Sequence, residues 1–372
     1  MATPIAPVSP DPVLLCGPGP ANVHASVVAA MAKPMLGHMD PDFQEIMLEV
    51  VELLRACYRR SDGLVLPLSG TGTQGIEAGI VNLVDPGDKV IIGAAGFFGF
   101  RLQEIARRRG AEVIEVNDDW GAVVSNDRLL STLAEHPDAR LLAVVHAETS
   151  TGARHPVEEL AKGMAGSETL LFADCVTSLG AIELEPELWG IDYCASCTQK
   201  GLAAPPGMSP VAASPRAVER IAARTTPASF YDDLLLLADY WTKRPMTYHH
   251  TAPVLHIYAL REALRLALDE GLEARVARHA DAGEYFQAGV RERGLETVAD
   301  PAHQLPQLTA IRVPDGVDAK QVQTRLLREH RIEVGGGLGP TAPAMWRVGL
   351  MGENATRETA DILLDAFDAV VA

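Results

Sequence analysis

The sequence predicts an α/β protein, with a mostly parallel sheet covered by helices on both faces and a smaller αβ unit after it. Three observations carry that expectation. Short, near-continuous apolar runs recur between residues 64 and 197. Helix-length stretches separate them, and strands of that texture alternating with helices fit a sheet buried on both faces. After Pro301 the texture changes and a second strand–helix series begins. The 372 residues suffice for one large domain and a smaller one. The expected division is an N-terminal arm over 1–15, a large domain over 16–270 and a small C-terminal domain over 271–372.

Residues 1–15 are Pro-rich and read as an extended arm. Cys16-Gly17-Pro18-Gly19-Pro20-Ala21-Asn22 is a Gly/Pro corner that fits neither helix nor central strand. Such a corner lets backbone approach a ligand or a neighbouring element. Helices are predicted around 24–33 and 41–59, the second with Phe43, Met47, Val50 and Leu54 on one apolar face. A strand, Leu64–Leu68, leads through Ser69-Gly70-Thr71-Gly72-Thr73-Gln74-Gly75 into a helix over Ile76–Val84. Backbone N–H groups and hydroxyls in a strand–loop–helix of this kind bind phosphate, although an ordinary capped helix reads the same way. No Gly-Lys-Ser/Thr follows, and the dinucleotide fingerprint is absent.

Strands at Lys89–Gly93, Glu112–Val116, Leu141–His146 and Thr169–Ala173 then alternate with helices at Phe97–Arg109, Asn126–Glu135 and Val157–Ala165. Asp192–Cys197 is the last strand pattern of this series. Residues 215–245 read as helical with charged interruptions, and Val254–Asp269 and Glu273–Glu292 as long helices. The second unit comprises a strand over Gln307–Val313, a helix over Ala319–Glu329, a flexible loop over Gly335–Pro340, a strand over Met345–Leu350 and a helix over Thr356–Val370.

Hydrophobic residues make up 47% of the chain and aromatics only 5%, so the core is expected to rest on Ala, Val and Leu. A net charge of −17 argues against a nucleic-acid or acidic-membrane partner, since both need clustered Lys and Arg. Five cysteines, an odd and sparse set, suggest a reducing compartment. Cys194 and Cys197 stand three apart in a strand pattern and so face opposite ways, which favours burial over a joint disulfide or metal site. The N-terminus lacks the pattern of a signal peptide, and no apolar run is long enough for a membrane span. The expected location is the cytoplasm.

Four marked sites fall where strands end, which is where parallel sheets carry their chemistry. They are Thr71–Thr73, Thr149, Asp174 and Lys200. A Lys after an apolar strand loses its proton readily when desolvated, and a neutral amine can form a Schiff base with an aldehyde cofactor. Asp174 follows an apolar run, so its carboxylate needs a partner. It either caps a helix beginning at Val176 or faces a cationic ring nitrogen. Arg347 lies inside an apolar strand pattern and wants a carboxylate. His249-His250 suggests a metal, but no third ligand stands at a convincing spacing, and no metal site is expected.

Taken together, these stretches resemble the class V pyridoxal-phosphate aminotransferases, nearest the alanine–glyoxylate and serine–pyruvate group. The resemblance runs from Gly17-Pro18-Gly19-Pro20 to the segment that begins at Arg347-Val348-Gly349-Leu350. Between them lie His146-Ala147-Glu148-Thr149-Ser150-Thr151-Gly152, Asp174-Cys175-Val176-Thr177-Ser178-Leu179-Gly180, Gln199-Lys200 and Tyr248-His249-His250-Thr251. It implies fold type I, with a mostly parallel seven-stranded sheet in the large domain, and pyridoxal 5′-phosphate as cofactor.

The resemblance also implies roles. Lys200 would form the Schiff base and shuttle the proton, and Asp174 would face the pyridinium nitrogen. Val176 would pack on one ring face and Phe98 on the other, where some relatives carry Trp. Thr71, Gly72, Thr73 and Gln199 would hold the phosphate, and Thr149 would contact the ring oxygen. Tyr248 and Thr251 would reach the phosphate of a neighbouring subunit, which implies a homodimer with shared sites. Arg347 would fork the substrate carboxylate, and Gly19, Gly37 and His38 would line the side-chain pocket. The implied reaction passes an amino group from alanine or serine to glyoxylate or another small 2-oxo acid. The alternative is a class V enzyme with lyase activity or an unusual amino donor, but a desulfurase needs a late loop Cys and none follows Cys197.

Overall fold

A computed structural model of the chain describes residues 8–226 and 229–371, so residues 1–7 of the expected arm lie outside the described residues. The central sheet is built from β1 (Leu64–Ser69), β2 (Lys89–Ala94), β3 (Glu112–Asn117), β4 (Leu141–Val145), β5 (Leu170–Asp174), β6 (Tyr193–Ala195) and β7 (Met208–Ala213). Their spatial order is β1-β7-β6-β5-β4-β2-β3. Neighbours pair in parallel except at β7, which runs antiparallel to both β1 and β6. β4 and β5 are buried along their whole length, as continuous apolar runs require.

The sequence pattern does not reveal β7. Met208-Ser209-Pro210-Val211-Ala212-Ala213 holds one β-branched residue and a proline, a poor signature for an inner strand. The register sets Pro210 opposite Pro67 of β1. The Pro210 carbonyl accepts from the Ser196 N–H at 2.8 Å and the Tyr58 hydroxyl at 2.9 Å.

Helix placement fixes where the sheet can bind a ligand. The helix after β1 spans Gly72–Leu83, so Gly72 and Thr73 form its first turn and do not stand in a loop ahead of it. It lies close against the sheet because Gly79 faces the Phe172–Tyr193 ring pair, and an added Cβ there would collide with both rings. The helix Phe97–Arg109 follows β2 and ends on Gly110 in the left-handed conformation (φ 91°), a position that favours glycine. The stretch 215–245 contains two helices, Pro215–Ala222 and Leu234–Thr242.

A second hydrophobic cluster gathers Phe286, Leu326, Trp346, Leu363 and Phe367, separate from the cluster around the large sheet. Its sheet has β8 (Leu308–Arg312), β9 (Gly335–Gly336) and β10 (Met345–Gly349), all antiparallel, in the order β8-β10-β9. Near the N-terminus, Leu14–Leu15 pairs in parallel with Ile332–Glu333, and Cys16 is buried in this second cluster.

The expectation of a flexible loop over Gly335–Pro340 is corrected. Gly335 and Gly336 pair with Arg347 and Trp346, and Gly339–Thr341 forms a 3-10 turn. Glycine is needed at 335 for contact, since an added Cβ would run into Pro18. Cys194 and Cys197 are both buried, as expected, but β6 ends at Ala195, so Cys197 stands beyond the strand and the expectation that both lie within it is corrected. Among the described residues no helix is long and apolar enough to cross a membrane.

Candidate active site

The cavity at the C-terminal ends of the parallel strands has a volume of about 150 Å³. Thr71, Gly72 and Thr73 line it from the end of β1, and Phe98 from the helix after β2. Thr149 reaches it from beyond β4, and Asp174 and Val176 from the end of β5. Gln199 and Lys200 close it from the segment after β6. Nine residues from five separate stretches of sequence thus meet in one space.

Lys200 lies beyond the end of β6, in a turn whose carbonyl accepts from the Ala203 N–H at 3.0 Å. Burial holds its amine below the usual lysine range, and the nearby Arg347 and Arg101 cations push the same way. Its Nζ donates to the carbonyl of Pro18. Gly19 makes that approach possible: with φ +113°, an added Cβ would stand 2.7 Å from Nζ. The Gly/Pro corner is therefore a wall of the lysine's channel.

Asp174 is 3% exposed. Burial pushes its carboxyl up to about 6, against one hydrogen bond from the Val176 N–H at 3.0 Å and the Arg101 charge. The segment from Val176 is a run of turns and not a helix, so Asp174 caps no helix. No salt bridge reaches it among the described residues.

Thr71 is the N-cap of the helix Gly72–Leu83, but its hydroxyl makes no capping bond. The first N–H groups of that helix face the cavity mouth with no intrahelical acceptor. Only glycine fits at 72, where an added Cβ would meet Val176 Cγ2 at 2.8 Å. Gln199 Oε1 is buried without a hydrogen-bond partner.

Arg347 adjoins the cavity. Its Nη1 donates to the Thr149 carbonyl at 3.3 Å and its Nε to the Gly336 carbonyl at 2.6 Å. It is 6% exposed, and burial lowers its guanidinium to about 10 although Glu148 opposes. Glu148 is itself committed. Its Oε2 accepts from the N–H groups of Phe98 and Gly99, and its Oε1 from the N–H and hydroxyl of Ser150. It thereby caps the helix that carries Phe98.

Tyr248 and Thr251 do not line the cavity of their own chain. Both are exposed, Tyr248 by 58%, and its ring centroid lies 5.7 Å from that of His38. Phe230, Tyr231, Met35 and Met39 are also exposed. The His249–His250 pair is used up in hydrogen bonds: to each other at 2.8 Å, to the Phe230 carbonyl at 3.0 Å and to the Ser69 hydroxyl at 3.0 Å.

Sequence reasoning missed Arg101 and Thr177 in the lining. Arg101 stands one helical turn beyond Phe98, and its guanidinium carbon lies 4.6 Å from that ring's centroid. The spacing of three on a helix could have found it.

An aldehyde on an aromatic ring with a basic nitrogen and a phosphate, as in pyridoxal phosphate, fits these residues. Among the described residues the buried carboxylate has no salt-bridge partner, the helix N-terminus has no side-chain cap and the Gln199 amide has an unpartnered polar atom, and the desolvated amine lines the same cavity.

Comparison with known proteins gives the same direction. Residues 17–357 match the family described as aminotransferase class-V. An alanine–glyoxylate aminotransferase of Drosophila melanogaster is 37% identical over 362 residues, covering 96% of this chain and 92% of that protein. A (S)-ureidoglycine–glyoxylate transaminase of Bacillus subtilis is 35% identical over 373 residues, covering 95% and 89%. Among solved structures, the alanine–glyoxylate aminotransferase of Nostoc sp. superposes with a TM-score of 0.96 at 45% identity, covering 100% of this chain and 98% of that one.

Proposed function

The chain belongs to the class-V aminotransferases, pyridoxal-phosphate enzymes of fold type I, and from that premise we propose that it moves an amino group from a small amino acid, such as alanine or serine, to glyoxylate or another small 2-oxo acid. The observation that carries this reading is the unmatched charge of Arg347. A buried guanidinium that, among the described residues, touches two carbonyls and no carboxylate, with Glu148 near but bound to other donors, is suited to receive a substrate carboxylate. The relatives that take glyoxylate as one partner support a small oxo acid. They also disfavour the lyase alternative.

When bound, pyridoxal phosphate supplies an aldehyde that links to amines and an electron-poor ring that accepts the electrons of a broken bond. The chain's residues do the rest. Thr71, Gly72, Thr73 and Gln199 would hold the phosphate at the helix N-terminus, Phe98 and Val176 would flank the ring, and Thr149 would offer its hydroxyl to the ring oxygen. Asp174 keeps a carboxylate where a protonated ring nitrogen needs one. Arg347 fixes the substrate by its carboxylate, with Gly19 beside the reacting amine. Lys200 Nζ, whose hold on a proton burial weakens, can take the proton from the substrate α-carbon and give it back.

The functional unit in this reading is a homodimer. The support is that Tyr248 and Thr251 stand exposed beside His38 and several exposed apolar side chains, outside their own chain's cavity. A second copy docked there would receive them.

The test is the absorption spectrum of the loaded protein, recorded before and after single amino acids are added without any oxo acid. Alanine or serine should discharge the near-visible band, and Lys200→Ala should lack it. A band that persists with every donor would overturn transamination, and full activity in Lys200→Ala would overturn the assignment of Lys200.

A further inference from the structure

Asp174 and Lys200 are anchored differently. Asp174 is the last residue of β5, held by the sheet, and its carbonyl accepts from the His146 N–H at 3.0 Å. Lys200 follows β6, which ends at Ala195, by five residues. On its near side the Thr198 N–H donates to the Met208 carbonyl of β7 at 3.2 Å and the Gln199 carbonyl accepts from the Ala21 N–H at 3.0 Å, whereas the far side of its turn, from Gly201 on, is supported from elsewhere.

Part of that support comes from the helix Leu272–Glu292, remote from the cavity lining. Arg275, on its first turns, is 3% exposed. Its Nη2 donates to the Gly201 carbonyl, the residue next to Lys200, at 2.8 Å. Its Nε donates to the Gly180 carbonyl, in the turns that follow Asp174, at 3.1 Å. Its Nη1 is held by Glu270 Oε2 at 2.6 Å. The two turns touch directly: an added Cβ on Gly201 would stand 2.5 Å from the Leu179 carbonyl oxygen and 2.9 Å from the carbonyl carbon of Gly180.

We propose that Arg275 is a positioning residue for Lys200, stapling the lysine's turn to the turn that follows Asp174 and so fixing the approach of the amine to the cofactor aldehyde. The planar fork matters, because two carbonyls on different segments and a carboxylate are each met by a different N–H of one rigid group. A lysine in its place could keep the charge opposite Glu270 but could not hold both carbonyls. Arg278 gives an internal comparison. It shares Glu270, at 2.7 Å, but donates to the carbonyls of Gly352 and Ala355, each at 2.9 Å, and hydrogen-bonds to neither turn among the described residues, meeting the lysine's turn only through the packing of Gly352 on Ala203.

This inference rests on the reading of Lys200 above, and one experiment separates the two. Cofactor-stripped protein is mixed with pyridoxal phosphate, and the rate at which the covalent band grows is measured. Affinity for pyridoxamine phosphate, which carries no aldehyde, is measured beside it. Arg275→Lys should slow band growth by roughly 10- to 100-fold, the range that a small misplacement of a reacting group costs, and lower kcat with little change in KM. Its affinity for pyridoxamine phosphate should stay within about twofold, because Asp174 and the phosphate cup keep their own anchors. Arg278→Lys should lower the melting temperature without slowing the band.

Band growth in Arg275→Lys as fast as in the parent would overturn the proposal. So would a slowing matched by an equal loss of pyridoxamine phosphate affinity, or one shared equally by Arg278→Lys. If Arg275→Lys does not fold, Arg275→Gln, which keeps an amide donor but not the fork and leaves Arg278 its Glu270, is read by the same criteria. A parent protein that never forms the band would instead refute the role of Lys200 itself.

Discussion

Removing the charge of Asp174 should make the cofactor-free protein more stable while destroying its usefulness. Burial raises this carboxyl from 3.8 to about 6. A group raised on folding stabilises the chain below its unfolded value, and that contribution is lost as pH climbs through the folded one. At 1.36 kcal/mol per pKa unit, ionising Asp174 in the fold costs about 1.6 kcal/mol at pH 5 and about 3 kcal/mol at pH 7. Asp174→Asn removes this cost and keeps an Oδ1 for the Val176 N–H. With an unfolding entropy of roughly 2.1 cal/mol/K per residue over the 372 residues, 3 kcal/mol corresponds to a rise of about 4 °C in Tm. Calorimetry of stripped parent and variant between pH 5 and 8 measures it. The gap should widen from pH 5 to 7 and then level off, and loading with pyridoxal phosphate should stabilise the parent more than the variant. A variant that melts at or below the parent at every pH would refute the argument from burial.

Two further predictions concern residues around Lys200. Arg347→Lys should raise KM for carboxylate substrates by roughly 10- to 100-fold, since a hydrogen bond to a charged group contributes about 1.5–3 kcal/mol; steady-state kinetics with an unchanged KM would make Arg347 structural. Gly19→Ala should cost only about 1–2 kcal/mol in unfolding, from strain at positive φ, because the flexible lysine chain gives way. It should nonetheless lose most of the covalent band on cofactor titration, as the new Cβ takes the place of Lys200 Nζ.

Much of this arrangement is legible in the sequence, and the exceptions share a cause. The helices Phe97–Arg109, Asn126–Glu135 and Ala319–Glu329 have the predicted limits, because periodic apolar faces and flanking breakers coincide there. β7 escapes because Pro210 and paired alanines carry no strand signature and its place is set by neighbours on both sides. Gly335–Pro340 misleads because glycine marks both freedom and close contact, and only the position of Pro18 decides between them. Lys200 and Asp174 announce themselves as lone charges after apolar runs. Arg101, Glu148 and Arg275 do not, because a charged residue in a mixed segment reads as solvated until the fold shows what it faces.

The electrostatics of the cavity then have a direction. Burial drives Lys200, Asp174 and Arg347 all towards neutrality, yet the site asks different things of them. Among the described residues Asp174 and Arg347 have no salt-bridge partner, and in the proposed reading ligands would bring one to each, a protonated ring nitrogen to the first and a carboxylate to the second. The cations of Arg101 and Arg347 weaken the hold of Lys200 on a proton. In that reading a substrate carboxylate on Arg347 would cancel one of those two influences. Lys200 would then be the stronger base with substrate in place, which would tie recognition at one end of the substrate to proton transfer at the other.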